Sequence, residues 1–130
     1  MFDIGVDIVD IKRIKKTLER DDGAFLGRVF TEKEILNSSK ALNKEDYFAK
    51  LFSFKESFAK AKGTGFVSLM KPNDIEFDCF PEDCLVSGAS FKVSVNNKKV
   101  ANIADVKFMK LNGNIVCRII LRKKNETFSE

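Results

Sequence analysis

Three short stretches of this chain carry residue types and spacings suited to work on a phosphorylated ligand. Glu56 and Lys60 stand four residues apart in EDYFAKLFSFKESFAKAK (residues 45–62), beside the small side chains of Ala49, Ser53 and Ser57. One reading is an exposed i, i+4 ion pair worth about 0.3 kcal/mol. The other is that the small neighbours leave space for a ligand, with Glu56 facing a metal ion and Lys60 a phosphate. Lys60 and Lys62 lead into Gly63-Thr64-Gly65, which is either a helix stop or a run of exposed backbone N–H groups that an anion can approach. It is not a P-loop, because the glycines follow the helix and GxxxxGK[ST] is absent. Asp7, within Gly5-Val6-Asp7-Ile8-Val9, either caps the next helix or sets a second carboxylate against the middle of the long one. In the second case Asp7 and Glu56 supply two hard oxygen ligands, the way Mg²⁺ is held alongside substrate phosphates.

The elements that must position these groups are legible from periodicity. Residues 2–9 alternate and are rich in β-branched side chains, which predicts a strand. Ile8, Ile11, Ile14 and Leu18 then form a helical stripe, with Lys12, Arg13, Lys16 and Arg20 on the opposite side. Asp21-Asp22-Gly23 ends that helix. Thr31 and Glu34 have capping-box spacing, so a helix starts there. Residues 45–62 form the strongest helix, with acids at its start, lysines at its end and Gly63 as its stop. Beyond Gly65 the period becomes two, and residues 74–78, 89–95, 104–110 and 115–122 read as strands. Asn112-Gly113-Asn114 makes a hairpin turn between the last two. The pattern predicts an α+β fold, helices packed on one face of a small, mainly antiparallel sheet, with residues 1–130 as a single domain.

Composition narrows the chemistry. The 130 residues include 23 Lys+Arg against 19 Asp+Glu, for a net charge of +4, and no histidine. Without histidine there is no Ser-His-Asp or Cys-His nucleophile system and no imidazole base in this chain. Cys79, Cys84 and Cys117 are too few for an all-cysteine zinc site and lack a CxxC pair, which suits reduced thiols in a cytoplasmic protein. No apolar run approaches the ~20 residues of a membrane span. Residues 12–20 hold five basic side chains and one acid, so the excess positive charge lies on one helix face.

The motifs, in order, are G-V-D-I-V, R-V-F-T-E-K-E and F-S-F-K-E-S-F-A-K-A-K-G-T-G, with Ile75-Glu76-Phe77 following. Together they resemble the short bacterial type of 4'-phosphopantetheinyl transferase, the holo-[acyl-carrier-protein] synthases, over residues 1–78. The resemblance implies transfer of the phosphopantetheine arm of coenzyme A to a serine of an apo acyl carrier protein, with release of adenosine 3',5'-bisphosphate. It implies Mg²⁺ on Asp7 and Glu56, Lys60 on the phosphates, and Gly63, Thr64 and Gly65 lining the coenzyme A pocket. It further implies a role in fatty acid biosynthesis and a homotrimer with active sites between subunits. The basic face, Lys12, Arg13, Lys16 and Arg20 with Arg28, becomes a docking surface for the acidic carrier. The proton of the carrier serine has two candidate acceptors, Glu56 and a water on the metal.

The chain departs from the family pattern at three places. Leu51 stands where the family has an arginine, Asp105 and Lys110 stand where it has histidines, and the G-K-P turn before that strand is missing. Lys110, with Lys50 and Lys107 nearby, is the expected replacement as a point-charge binder of the coenzyme A phosphates. Two other readings compete: an inactive family member that holds carrier protein without transferring anything, and a small basic RNA-binding module stacking bases on its phenylalanines.

Overall fold

The computed structural model describes residues 1–20, 23–63, 70–79 and 91–123. Strand β1 (Phe2–Asp10) is followed by helices α1 (Ile11–Arg20), α2 (Ala24–Val29), α3 (Glu32–Asn37) and α4 (Lys44–Lys62). Strands β2 (Ile75–Cys79), β3 (Phe91–Val95), β4 (Lys98–Lys99), β5 (Ile103–Leu111) and β6 (Asn114–Arg122) complete it. All strand pairs are antiparallel, in two three-stranded sheets ordered β1-β6-β5 and β2-β3-β4. The expected α+β class holds, with the antiparallel strands divided between two sheets. Rings join them: Phe54 of α4 packs 4.4 Å from Phe77 of β2, which meets Phe108 of β5 at 5.8 Å.

Local signals act as their chemistry requires. Thr31 Oγ1 accepts from the Glu34 N–H while the Glu34 carboxylate accepts from the Thr31 N–H, closing a capping box. Asn43 caps α4, Gly63 ends it at φ 81°, and Asn112-Gly113 turns the β5–β6 hairpin with both residues at positive φ. Two details differ from the sequence pattern. Ile8 belongs to β1 and is exposed, because the strand runs on to Asp10 and its alternation places Phe2, Ile4, Val6 and Ile8 on the outer face. The carboxylate at the start of α1 is that of Asp10, which accepts from the Lys12 N–H, and Asp7 stays inside the strand.

Helix α4 is enclosed on almost every side. Ala49, Ser53 and Ser57 are fully buried, so the small residues read as room for a ligand are instead where the helix meets the sheet. The tightest approach is at Gly5: a Cβ there would lie 1.9 Å from the Ser57 carbonyl oxygen and 2.8 Å from the Ala61 nitrogen. Ser57 also donates to the Cys117 carbonyl of β6 at 3.1 Å. Both obstructing atoms are backbone, so no rotamer change relieves a methyl at Gly5. Gly5→Ala is therefore expected to destabilise the fold by about 3 kcal/mol, read as a lower urea midpoint; a midpoint equal to wild type would exclude this packing.

Candidate active site

The inward face of β1 carries Asp3, Gly5, Asp7 and Val9 toward α4. Because α4 lies directly on Gly5, Asp7, two residues along the strand, arrives beside the next exposed turn of the helix, where Glu56 and Lys60 emerge. Lys60 Nζ pairs with Asp7 Oδ1 at 2.8 Å and donates to the Val6 carbonyl at 3.1 Å. Its ion-pair partner among the described residues is thus Asp7, across the helix–strand junction, and not Glu56 one turn away. Asp7 is largely covered and Lys60 half exposed, so the pair is an open-sided one.

Asp7 and Glu56 line a single cavity of about 350 Å³. Asp10, Arg13 and Thr17 complete its polar lining, and Ile14, Phe25 and Phe52 are among its apolar wall, with the two rings 5.9 Å apart. The Glu56 carboxyl is held above the usual carboxylate range, first by its partial burial and then by the negative charge of Asp7, with Lys60 opposing both. Among the described residues there is no group of three or more His, Cys, Asp or Glu able to hold a metal alone. Two carboxylates facing one cavity, with room for a ligand, match the donor set of a hard cation that completes its shell with phosphate and water. They do not match a zinc site, which needs nitrogen or sulfur donors.

The remaining expected residues separate into those near the cavity and those away from it. Gly63 closes α4 one turn beyond Lys60, while Thr64 and Gly65 lie outside the described residues. Lys12, Lys16 and Arg20 are exposed on α1, and Arg28 is exposed on α2. Arg13, assigned from sequence to the outer basic face, reaches the cavity rim, so the basic helix borders the site. Lys110 pairs with Asp46 at 2.6 Å, at the opposite end of α4. Ten residues of helix separate Asp46 from Glu56, about 15 Å of rise, so one chain does not bring Lys110 to this cavity. Leu51 and Lys50 are buried in α4, and Lys107 is exposed opposite Arg118. Sequence reasoning passed over Asp10, Thr17, Phe25 and Phe52 as cavity residues. Thr17 follows Arg13 by four on α1, a spacing that places both on one rim.

The 4'-phosphopantetheinyl transferase superfamily profile matches residues 3–86. The chain belongs to that superfamily. A holo-[acyl-carrier-protein] synthase of Wolbachia sp. subsp. Drosophila simulans is 45% identical over 78 residues, covering 58% of this chain and 66% of the relative. One from Clostridium tetani is 48% identical over 73 residues, 56% of each chain. These matches span about two thirds or less of the relatives' length. In fold, the chain is similar to the holo-[acyl-carrier-protein] synthase of Neisseria meningitidis, with a TM-score of 0.74 at 24% identity over 93% of this chain and 98% of that one. It is also similar to that of Bacillus anthracis in complex with CoA (3',5'-ADP), with a TM-score of 0.72 at 22% identity over 94% and 96%.

The raised pKa of Glu56 has a consequence for stability. The unfolded chain gives up this proton first, so the contribution present at low pH is lost as pH rises through the ordinary carboxylate range toward the folded value. Glu56→Gln cannot ionise. Its melting temperature is expected to exceed wild type at pH 7, with the gap closing near pH ~4; a gap independent of pH would show that Glu56 is not strained in its charged form.

Proposed function

We propose that this protein is a holo-[acyl-carrier-protein] synthase that moves the 4'-phosphopantetheine of coenzyme A to a serine of apo acyl carrier protein. The observation that carries this reading is the meeting of Asp7 from β1 and Glu56 from α4 in one cavity, with Lys60 on Asp7 and the basic α1 along the rim. The serine oxygen forms a bond to the phosphorus next to pantetheine, the diphosphate bridge breaks, and adenosine 3',5'-bisphosphate leaves with the bridging oxygen. Asp7 and Glu56 would hold Mg²⁺, which when bound supplies neutralisation of the diphosphate charge. Lys60, paired with Asp7 beside the cavity, would orient and neutralise the departing phosphate. Gly63, Thr64 and Gly65, three to five residues after Lys60 in sequence, would serve the coenzyme A side as the family pattern implies. The nucleophile arrives on the carrier, which is how a chain without histidine can perform the reaction.

Lys12, Arg13, Lys16, Arg20 and Arg28 would receive the acidic carrier, bringing its serine to the rim through electrostatic steering. The setting is cytoplasmic fatty acid biosynthesis; among the described residues no helix is long and apolar enough to cross a membrane. The RNA-binding alternative loses its footing, since Phe30, Phe48, Phe54, Phe58 and Phe77 are core residues and not stacking platforms. The carrier-holding alternative keeps its motive in Leu51 and in the engagement of Lys110 by Asp46. Intact mass of apo carrier protein incubated with coenzyme A and Mg²⁺ separates them. A phosphopantetheine increment, abolished by EDTA and slowed about 100-fold (about 3 kcal/mol) in Glu56→Ala, supports transfer; retained carrier binding without an increment refutes it.

The proposed homotrimer draws support from the outer face of the β1-β6-β5 sheet. Phe2, Ile4, Val6 and Ile8 of β1 and Met109 and Leu111 of β5 are all substantially exposed on it. An apolar sheet face of this kind marks an association surface, and a homotrimer with active sites between subunits would cover it. Light scattering of the wild type is expected to give three times the chain mass, and Ile4→Glu to give the monomer. Lys110→Ala is expected to raise the KM for coenzyme A several-fold, whereas an unchanged KM would remove Lys110 from the site.

A further inference from the structure

Directly before Glu56 on α4 stands a lysine with no solvent exposure. Lys55 Nζ pairs with Glu34 Oε1 at 2.8 Å and donates to the carbonyls of Val29 at 2.8 Å, Pro72 at 2.9 Å and Ile75 at 2.5 Å. The Phe30 ring lies 5.6 Å away. Glu34, equally buried, also accepts from the Thr31 N–H at 2.9 Å and, through Oε2, from the Phe77 N–H at 2.7 Å. Burial pushes the Glu34 carboxyl up and the Lys55 ammonium down, and each opposes the other's shift by its charge.

Stability alone does not call for such a pair. Apolar side chains of similar volume often replace buried ion pairs with no loss. What they cannot replace is direction. The three carbonyls belong to three separate pieces of chain: the end of α2, the 3-10 turn at Pro72–Asp74 and the start of β2. Ser57 faces Gly5 on another side of the helix, about 200° around from Lys55. Helix α4 is thereby held on two opposed flanks, and Glu56 projects between them into the cavity. At a side-chain radius of about 5–6 Å, a helix rotation of about 20° would move the Glu56 carboxylate about 2 Å. Magnesium coordination at about 2.1 Å with near-ideal octahedral geometry does not tolerate that error.

We propose that Lys55, locked by Glu34 and three backbone carbonyls, is a positioning residue that sets the rotation of α4 and so aims Glu56 at Asp7. The proposal rests on the reading that Asp7 and Glu56 share a divalent cation, and its test does not depend on transfer. The Lys55→Met/Glu34→Gln double variant keeps the volume and leaves no lone buried charge. It is expected to fold with a lowered melting temperature, since three carbonyls lose their donor, to bind Mn²⁺ at least tenfold more weakly by electron paramagnetic resonance, and to lose at least tenfold in kcat. Glu34→Asp keeps both charges and draws the carboxylate, with Lys55, back along its side chain; it is expected to weaken Mn²⁺ about threefold in a folded protein. Wild-type Mn²⁺ affinity in the folded double variant, or in Glu34→Asp should the double variant not fold, overturns the proposal. A wild-type protein that binds Mn²⁺ at Asp7 and Glu56 but transfers nothing refutes the proposed activity, and the Mn²⁺ shift then still decides the role of Lys55.

Discussion

The contact between the backbone of α4 and the bare Cα of Gly5 governs this fold. Helix–sheet packing normally leaves a layer of side chains between the two backbones, and here that layer is absent at one point. The closeness depends on Gly5 on the strand and on Ser57 and Ala61 on the helix, the smallest side chains available at those turns. Its effect is transmitted along both elements. Two residues beyond Gly5 the strand presents Asp7, and on the flanks of Ser57 the helix presents Glu56 and Lys60. A larger residue at position 5 would push α4 away from β1 and draw the two carboxylates apart.

Charge is used in two opposite ways on the same helix. Lys55 and Glu34 lie in the interior, where each needs the other and a full set of backbone partners to remain ionised. Glu56 and Asp7 lie at a cavity, where two like charges face the same space, with Lys60 paired to Asp7 and Arg13 at the rim. The first arrangement is closed and satisfied. The second is left under-neutralised, which is a weakness in stability and a requirement for capturing a cation with a polyanionic substrate. Lys60, bound to Asp7 in the free protein, acts as a resident counter-charge beside these carboxylates.

Much of this was legible in the chain. The alternation of residues 2–9, the capping box at Thr31, the glycine stop at Gly63 and the Asn112-Gly113 turn are local signals, and each appears where its chemistry requires. Asp7, Glu56 and Lys60 were identifiable because carboxylates and a lysine at motif spacing are uncommon amid apolar neighbours. The failures share one cause. Ala49, Ser53 and Ser57 looked like space for a ligand, since a helical wheel cannot distinguish a face turned to a cavity from one turned to a sheet. Lys55 falls on the apolar arc of α4 and was passed over; a lysine among core positions, with a glutamate in a capping box elsewhere, was the available clue. Arg13 was read as surface and Thr17 was passed over because the rim they form requires Phe25 and Phe52, which are distant in sequence.

By itself the sequence determined the elements, their caps and turns, the concentration of positive charge on α1 and the motif that marks the superfamily, because these depend on neighbours within a few residues. Tertiary structure decided which carboxylates meet, which lysine pairs with Asp7, and that Lys110 lies at the far end of α4 from Glu56. Those outcomes depend on how closely a helix can approach a strand and on which backbone carbonyls converge on a buried ammonium. Such distances are set by the packing of segments tens of residues apart, and local periodicity does not encode them.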